Sequence, residues 1–492
     1  MTDRSAMTLV WFRDDLRLAD NAALEWAAQG GEVIAVVIDE DAAATGVRPR
    51  GAAASWWRER SLSQLAGRLL EHGVPMLHLA GDPVDIMTAL PGLLAVDAVV
   101  WNRRYEEPLR FVDSRIKETL QAGGTEVHSF PGHLLTEPWQ VTTGEGRPYR
   151  VFTPYSRAAT PVAEDAVAQL VEAAAQVPAD LRGPEKDLPE VPFPPVRPVD
   201  PAPWAASLAD HWTPGEEAGQ ATLAAFVTGD RRTTATGSPG YADGRDIPDA
   251  DATTGLSPHL RFGEVSPHRV WYAVARAVDA GDVPAADGSA LHSELLWRDF
   301  AWQRLYHRPD LASRCVREQF TQFPWRWDNS LPGDVKHLGD ATALAQDLSA
   351  WRSGTTGIPL VDAGMRELWT TGWMHNRVRM VVGSFLTKNL LADWRHGEQW
   401  FWDTLVDADP ASNPFNWQWV AGCGDDASPY FRIFNPETQR KKFDPELGYV
   451  NRWVPEFVGP EAAHAGPYPP PMVDLRESRQ RALAAYECLN AP

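Results

Sequence analysis

The chain has 492 residues, more than one comfortable core holds, so two domains or more are expected. Hydrophobic residues make up 44% and charged residues 23%, a balance that excludes an extended disordered chain. A net charge of −20 lowers the expectation of nucleic-acid binding, but a total leaves room for a local basic face, and Arg432, Arg440, Lys441 and Lys442 cluster late in the chain.

No apolar run approaches the ~20 residues that cross a bilayer, so no membrane partner is expected. The N-terminus lacks the order of a secretory signal, which makes a cytoplasmic location the expectation. Cys315, Cys423 and Cys488 lie far apart. They form neither a metal-binding spacing nor a disulfide framework, and three thiolates cannot hold a four-thiolate iron–sulfur cluster. Tryptophan is dense, at 22 residues, which is more than core packing alone asks for. Most of these rings belong in cores; the remainder could stack a planar ligand or relay electrons.

Residues 7–12, 32–39, 76–81, 98–102 and 126–130 read as short buried strands. Between them, 54–73 and 108–124 have helical periodicity and end at glycine. Continuous apolar strands alternating with helices predict a doubly wound parallel sheet. The first strand runs into Phe12-Arg13-Asp14-Asp15 rather than into GxGxxG, so the usual dinucleotide cradle is absent. From Pro131 to about Gly215 the pattern dissolves into proline-dense sequence, predicting a long connector with one helix near Val162–Gln176. After Gly215 the chain reads as all-α, including one long helical run over Leu360–Trp394 and a late helix from Arg476 to Asn490.

Four groups of residues carry chemistry. Tyr241 precedes Thr253-Thr254-Gly255-Leu256-Ser257, where hydroxyls and free N–H groups at a helix start suit either a phosphate or a plain cap. Glu294, Trp297 and Arg298 share one helical face, as a surface ion pair beside a core tryptophan or as a pocket that bonds a base edge and stacks its face. Trp373, Asn376 or Arg377, Met380 and Gly383 share another. Arg379 beside them asks for a carboxylate partner, Asp407 or Asp409. Asn413 follows in a loop, where a short amide can approach a ring nitrogen.

Across nearly its whole length the chain resembles the photolyase/cryptochrome family. The resemblance rests on LVWFRDDLRLADNAAL (9–24), TTGLSPHLRFGEVSPHRVW (253–271), SELLWRDF (293–300), TGWMHNRVRMVVGSFLTKNLLADWR (371–395) and WQWVAGCGDDASPYFRIFNP (417–436). It implies a Rossmann-like antenna-chromophore domain (1–131), an interdomain connector (132–215) and a helical FAD- and DNA-binding domain (216–492). Tyr241, Thr253, Thr254, Leu256 and Ser257 then match the flavin phosphate segment, and Arg379, Asp407, Asp409 and Asn413 match the isoalloxazine shell, with Asn413 facing N5. Trp394 and Trp417 match two members of an electron relay. Its outer member is Trp325, with Trp327 as the alternative, because residues 326–349 are longer than the family pattern.

Glu294, Trp297, Asn376, Met380 and Trp419 match a cyclobutane-dimer pocket, with Glu294 bonding the dimer through a protonated or water-bridged carboxyl. Relatives that repair (6-4) lesions resemble a pattern with histidines where Asn376 and Met380 stand here, and Met380 cannot donate a proton. The resemblance therefore implies a class I or class III cyclobutane pyrimidine dimer photolyase with reduced FAD, monomeric and acting on UV-damaged DNA. Arg298, Arg377, Arg432, Arg440, Lys441 and Lys442 are its candidates for DNA contact. A cryptochrome-type photoreceptor and a (6-4) enzyme are the alternatives. The chain runs little beyond its last helix, which leaves no signalling tail to expect. At the antenna, Tyr105-Glu106 agree with the folate-binding form but Pro108-Leu109 depart from it. Methenyltetrahydrofolate and 8-hydroxy-deazaflavin both stay open.

Overall fold

Each of the five apolar runs becomes a strand of one parallel sheet in the computed structural model, which describes residues 6–169, 176–196, 201–229, 240–327, 341–426, 431–458 and 467–489. The strands are β1 (Ala6–Phe12), β2 (Gly31–Glu40), β3 (Met76–Gly81), β4 (Ala98–Asn102) and β5 (Glu126–Phe130), in the order β3-β2-β1-β4-β5. Their runs are continuous rather than alternating because both faces are covered. Val10, Phe12, Val33 and Val37 enter one core with the helix Ala52–Glu71. Leu9, Trp11, Ile34 and Trp101 enter the opposite core with Pro83–Leu94 and Glu107–Ala122. The order reverses at β1, so the crevice beyond the ends of β1 and β4 is the topological switch point.

The proline-dense stretch is more structured than its sequence predicts. Its helix spans Phe152–Ala168, starting at Phe152 rather than Val162 and running through Pro161. Breaking a helix at an interior proline is the usual outcome, at about 3 kcal/mol. Here Tyr155, Ala159, Ala163 and Val167, spaced by four, enter a core with Leu295 and Phe300, and that burial offsets the cost. The far end toward Gln176 crosses 170–175, outside the described residues. Residues 176–196 then return to the sheet. Val33 N donates to Arg182 O at 2.9 Å, and Val196 N donates to His78 O at 2.9 Å. Leu188, Val191 and Phe193 pack against the sheet core. This strap covers the edge strand β3 with prolines, a common guard against edge pairing.

The rest is helical. Ala285–His307 packs on Ser412–Ala421, which in turn meets Asn376–Ser384 and Trp394–Thr404, and Pro359–Thr371 packs on Asn376–Ser384. The long helical run expected over Leu360–Trp394 is broken. Gly372 ends the first helix in a left-handed conformation (φ 67°), and a Cβ there would also meet Leu208 and Val406 at 2.8 Å. A new helix begins at Asn376, its start capped by the His375 side chain, and it passes into a π-helical turn, Phe385–Asn389. Trp373 therefore lies outside the helix that carries Asn376, Met380 and Gly383. Among the described residues, no helix is long and apolar enough to cross a membrane, and no group of side chains is set to hold a metal. The three cysteines are free thiols.

Candidate active site

Three helices aim their side chains at one cavity of about 500 Å³. Ala285–His307 supplies Glu294, Trp297 and Arg298; Asn376–Ser384 supplies Asn376, Arg379 and Met380; and Ser412–Ala421 supplies Asn413, Trp417 and Trp419. A second cavity, about 280 Å³, shares the walls formed by Arg245, Glu294, Asn376, Arg379, Asp407 and Asp409. It extends to Tyr241, Thr253, Thr254 and Ser257, so the hydroxyl cluster opens onto a cavity. Trp373 and Met374, from the break between helices, line it too. Leu256, within the same segment, has its side chain 1% exposed and packed in the core, which leaves only its backbone to face a ligand.

Arg379 finds its carboxylate in Asp407, with Nη2 donating to Oδ2 at 2.9 Å and Nε donating to the Met374 carbonyl at 2.7 Å. Asp409 is occupied otherwise. Its Oδ1 accepts from Ala411 N and Ser412 N at 2.9 and 2.6 Å, opening the helix Ser412–Ala421, and its Oδ2 accepts from Trp302 Nε1 at 3.1 Å. Asp407 Oδ1 is buried with no hydrogen-bond partner among the described residues. An orphan acceptor on a cavity wall asks for a ligand N–H donor. The edge of an isoalloxazine ring offers one, and the hydroxyls at Thr253, Thr254 and Ser257 suit its phosphates. The residues present fit FAD.

Asn413 is fixed by a residue that sequence reasoning missed. Its Nδ2 donates to the Glu398 main-chain carbonyl at 3.0 Å and to Glu398 Oε1 at 2.9 Å. Glu398 is itself held by Arg48, which is far off in sequence. The one signal available was a carboxylate within the stripe Trp394, Glu398, Trp402, each a helical turn apart.

Arg245 was likewise missed. It donates to Glu294 Oε1 at 2.6 Å and also lines both cavities. Glu294 therefore already accepts from a cation through Oε1, a partner that the expected protonated or water-bridged contact to a dimer did not include. Trp297 lies flat on Phe152, and Trp419 donates through Nε1 to Asp426 O at 3.2 Å.

Several expected DNA contacts prove to be occupied. The Arg298 guanidinium donates to the His133 carbonyl at 2.7 Å and meets His133 Nε2 at 2.9 Å. Its side chain is 12% exposed and lines both cavities, so it is placed as a cavity wall and not as an exposed cation. Arg377 is paired with Asp246 and lies over Phe443. Arg440 and Lys441 both reach Glu437, at 2.9 and 3.4 Å, and Lys442 lies over Phe443. Arg432 lines the larger cavity.

Trp417 forms a cavity wall and presses on Gly397, where a Cβ would stand 2.1 Å from its ring. Trp394 is on that same helix, one turn earlier, and is fully buried. Residues 325–327 are laced to the entry of this helix. Arg326 N donates to Leu391 O at 2.8 Å, and Asp393 N donates to Arg326 O at 3.0 Å. Trp325 and Trp327 both sit there, the second against His396 at 4.6 Å. Most of the longer stretch after them, 328–340, lies outside the described residues.

At the switch point, Arg13, Asp14, Asn102, Arg104 and Glu106 enclose about 30 Å³, room for about one water. Burial pushes the Glu106 carboxyl up to about 7.

Known proteins resemble the chain along nearly its whole length. Residues 8–176 match the DNA photolyase family, and residues 291–488 match the FAD binding domain of DNA photolyase. The chain is 42% identical to the deoxyribodipyrimidine photo-lyase of Agrobacterium fabrum, across 99% of this chain and 98% of that one. The crystal structure of a bacterial class III photolyase from Agrobacterium tumefaciens superimposes with a TM-score of 0.84 at 39% identity, covering 99% of this chain and 98% of that one. Cryptochrome-1 of Arabidopsis thaliana is 34% identical across 92% of this chain and 63% of its own length. The chain belongs to the DNA photolyase family, and its helical half carries that family's FAD-binding domain.

Proposed function

We propose that this protein is a light-driven lyase that splits cyclobutane pyrimidine dimers in UV-damaged DNA. One observation carries the reading: the lesion-facing residues Glu294, Trp297, Asn376, Met380 and Trp419 share a single cavity with the flavin-facing Arg379, Asp407, Asp409 and Asn413. Bound FAD, reduced and excited by light, supplies the electron that opens the cyclobutane ring and takes it back.

The protein's own part is to extract, hold and shield the lesion. Flipping it out of the duplex costs a few kcal/mol, and less at damaged sites. Trp297 and Trp419 recover roughly 1–3 kcal/mol each by stacking, enough together to offset the flip. Arg245 orients the Glu294 carboxylate, which accepts from a pyrimidine N–H. Asn376 supplies a second polar contact. Met380 supplies apolar contact and no proton, which suits a reaction that needs none from this wall. Trp417 and Trp394, with Trp325 or Trp327 beyond, carry electrons to the flavin. Arg432 and Lys442 are exposed cations placed to settle on phosphates, and Lys441 joins them by giving up its exposed pair with Glu437, which positions the duplex without reading its sequence.

The same reading assigns residues 1–131 to an antenna domain, 132–215 to a connector and 216–492 to the FAD and DNA domain. The connector's helix packs with the helical half and its strap packs with the sheet. A second chromophore, methenyltetrahydrofolate or 8-hydroxy-deazaflavin, would serve the antenna domain. The protein would work as a cytoplasmic monomer.

Substrate choice tests the reading. The protein is given matched oligonucleotides, one with a cyclobutane dimer and one with a (6-4) lesion, under blue light. Repair of the first and not the second is expected. Repair of the (6-4) lesion instead would overturn the role given to Met380.

A further inference from the structure

The sheet domain grips the helix Trp394–Thr404 along one short segment. Gly51 approaches so closely that a Cβ there would fall 2.0 Å from the Trp402 carbonyl oxygen. Trp402 Nε1 donates to the Pro49 carbonyl at 2.8 Å, and Ala52 N donates to Asp403 Oδ1 at 3.0 Å. This dock carries Arg48 into the helical half. Its guanidinium meets both carboxylate oxygens of Glu398, at 2.7 and 3.0 Å, reaches Gln399 Oε1 at 2.5 Å, and lies over the Trp402 ring at 4.4 Å.

The Glu398 side chain is 3% exposed. Burial pushes its carboxyl up, and the bonds and charge of Arg48, with the Asn413 amide, draw it back. Both Asn413 Nδ2 contacts are acceptors, and a main-chain carbonyl can do nothing but accept. The amide is therefore locked with Nδ2 toward Glu398, which leaves Oδ1 as the acceptor for the cavity. A carboxylate partner on Nδ2 polarises the amide and strengthens that acceptor, since hydrogen bonds in a chain reinforce one another.

We propose that Arg48 is a positioning residue for the flavin site: by clamping the Glu398 carboxylate against Asn413, the sheet domain sets the hydrogen-bond polarity presented to flavin N5. This rests on the reading that Asn413 faces N5. Oxidised flavin offers an acceptor at N5 and reduced flavin offers an N–H, so a strong acceptor opposite favours the reduced form.

The test is the midpoint potential of the flavin in the full-length holoprotein, with infrared titration of the Glu398 carboxyl as a second readout. Arg48→Met is expected to weaken the preference for reduced over oxidised flavin about tenfold, a fall of ~30 mV for a two-electron couple. It should also show a protonated carboxyl band at neutral pH that vanishes in Arg48→Met/Glu398→Gln. Arg48→Lys, which restores charge without the two-pronged fork, should recover part of the potential. Should Arg48→Met fail to fold, Glu398→Gln keeps the dock and removes the charge, and it must lower the potential in the same way. Asn413→Ala separates the two claims. If it leaves the potential unmoved, the N5 contact itself is wrong. If it shifts the potential while Arg48→Met and Glu398→Gln do not, the clamp is overturned.

Discussion

Phe152 lies flat against Trp297, with ring centroids 3.6 Å apart and planes within 8°. Phe152 opens the helix Phe152–Ala168. One face of the indole is thus backed by a ring from a stretch that reads as connector, and the ring is steadied at the mouth where a flipped base would stack. Phe152→Ala removes that backing. Aromatic pairs contribute about 0.5–1.5 kcal/mol beyond area burial, so affinity for dimer-containing DNA should fall by up to about tenfold. Affinity for undamaged DNA should not change. Paired titrations of the two duplexes check this.

How much of this was legible follows from distance along the chain. The strands were plain because a sheet covered on both faces needs unbroken apolar runs, as Val33 to Ile38 show. The face of Glu294 and Trp297 was plain because a helical turn is local. The helix Phe152–Ala168 was obscured by Pro161, a local penalty that tertiary burial overrides. Arg245 with Glu294, and Arg48 with Glu398, are pairings that no periodicity encodes; a folded chain is needed to bring them together. The local pairing of Arg298 with Glu294 and the solvent-facing reading of Arg377 give way to partners from distant segments, the His133 carbonyl and Asp246.

The Arg379–Asp407 pair makes a second test. Asp407→Asn keeps the shape but removes the charge that faces Arg379 and the cavity. Breaking a buried pair is costly because it leaves the other charge uncompensated. Flavin retention through gel filtration, read as the flavin-to-protein absorbance ratio, should fall at least tenfold. The circular dichroism spectrum should stay that of the wild type.

Gly397→Ala tests the place of Trp417. A Cβ would stand 2.1 Å from the Trp417 ring, so the ring must shift away from the helix that carries Trp394. Overpacking of this kind costs about 1–3 kcal/mol. A lower melting temperature is expected, together with slower photoreduction of bound flavin in the presence of a thiol reductant. A variant that melts lower but photoreduces at the wild-type rate removes Trp417 from the relay.

Stability should carry a signature of Glu367, which sits under the start of the helix Asn376–Ser384. It accepts from Tyr449 Oη at 2.6 Å and from His375 N at 3.1 Å. Burial raises its carboxyl from the usual 4.5 to about 7. Between those values the folded protein holds a proton that the unfolded chain has released, so this group's stabilisation is full below pH 4.5 and fades as pH rises through 7. The slope from one such group is at most about 1.4 kcal/mol per pH unit. Glu367→Gln should flatten the fall in denaturation midpoint across that window relative to wild type. Equal slopes in the two proteins would show that the carboxyl is ionised in the fold.

The most direct measurement is dimer loss from a UV-damaged oligonucleotide mixed with purified protein whose flavin has been reduced, compared under blue light and in darkness. Light-dependent return of the intact pyrimidines, with the dark sample unchanged, is expected. Tight binding of the damaged oligonucleotide with no light-dependent repair would contradict the assignment and leave a flavin protein that recognises lesions without splitting them.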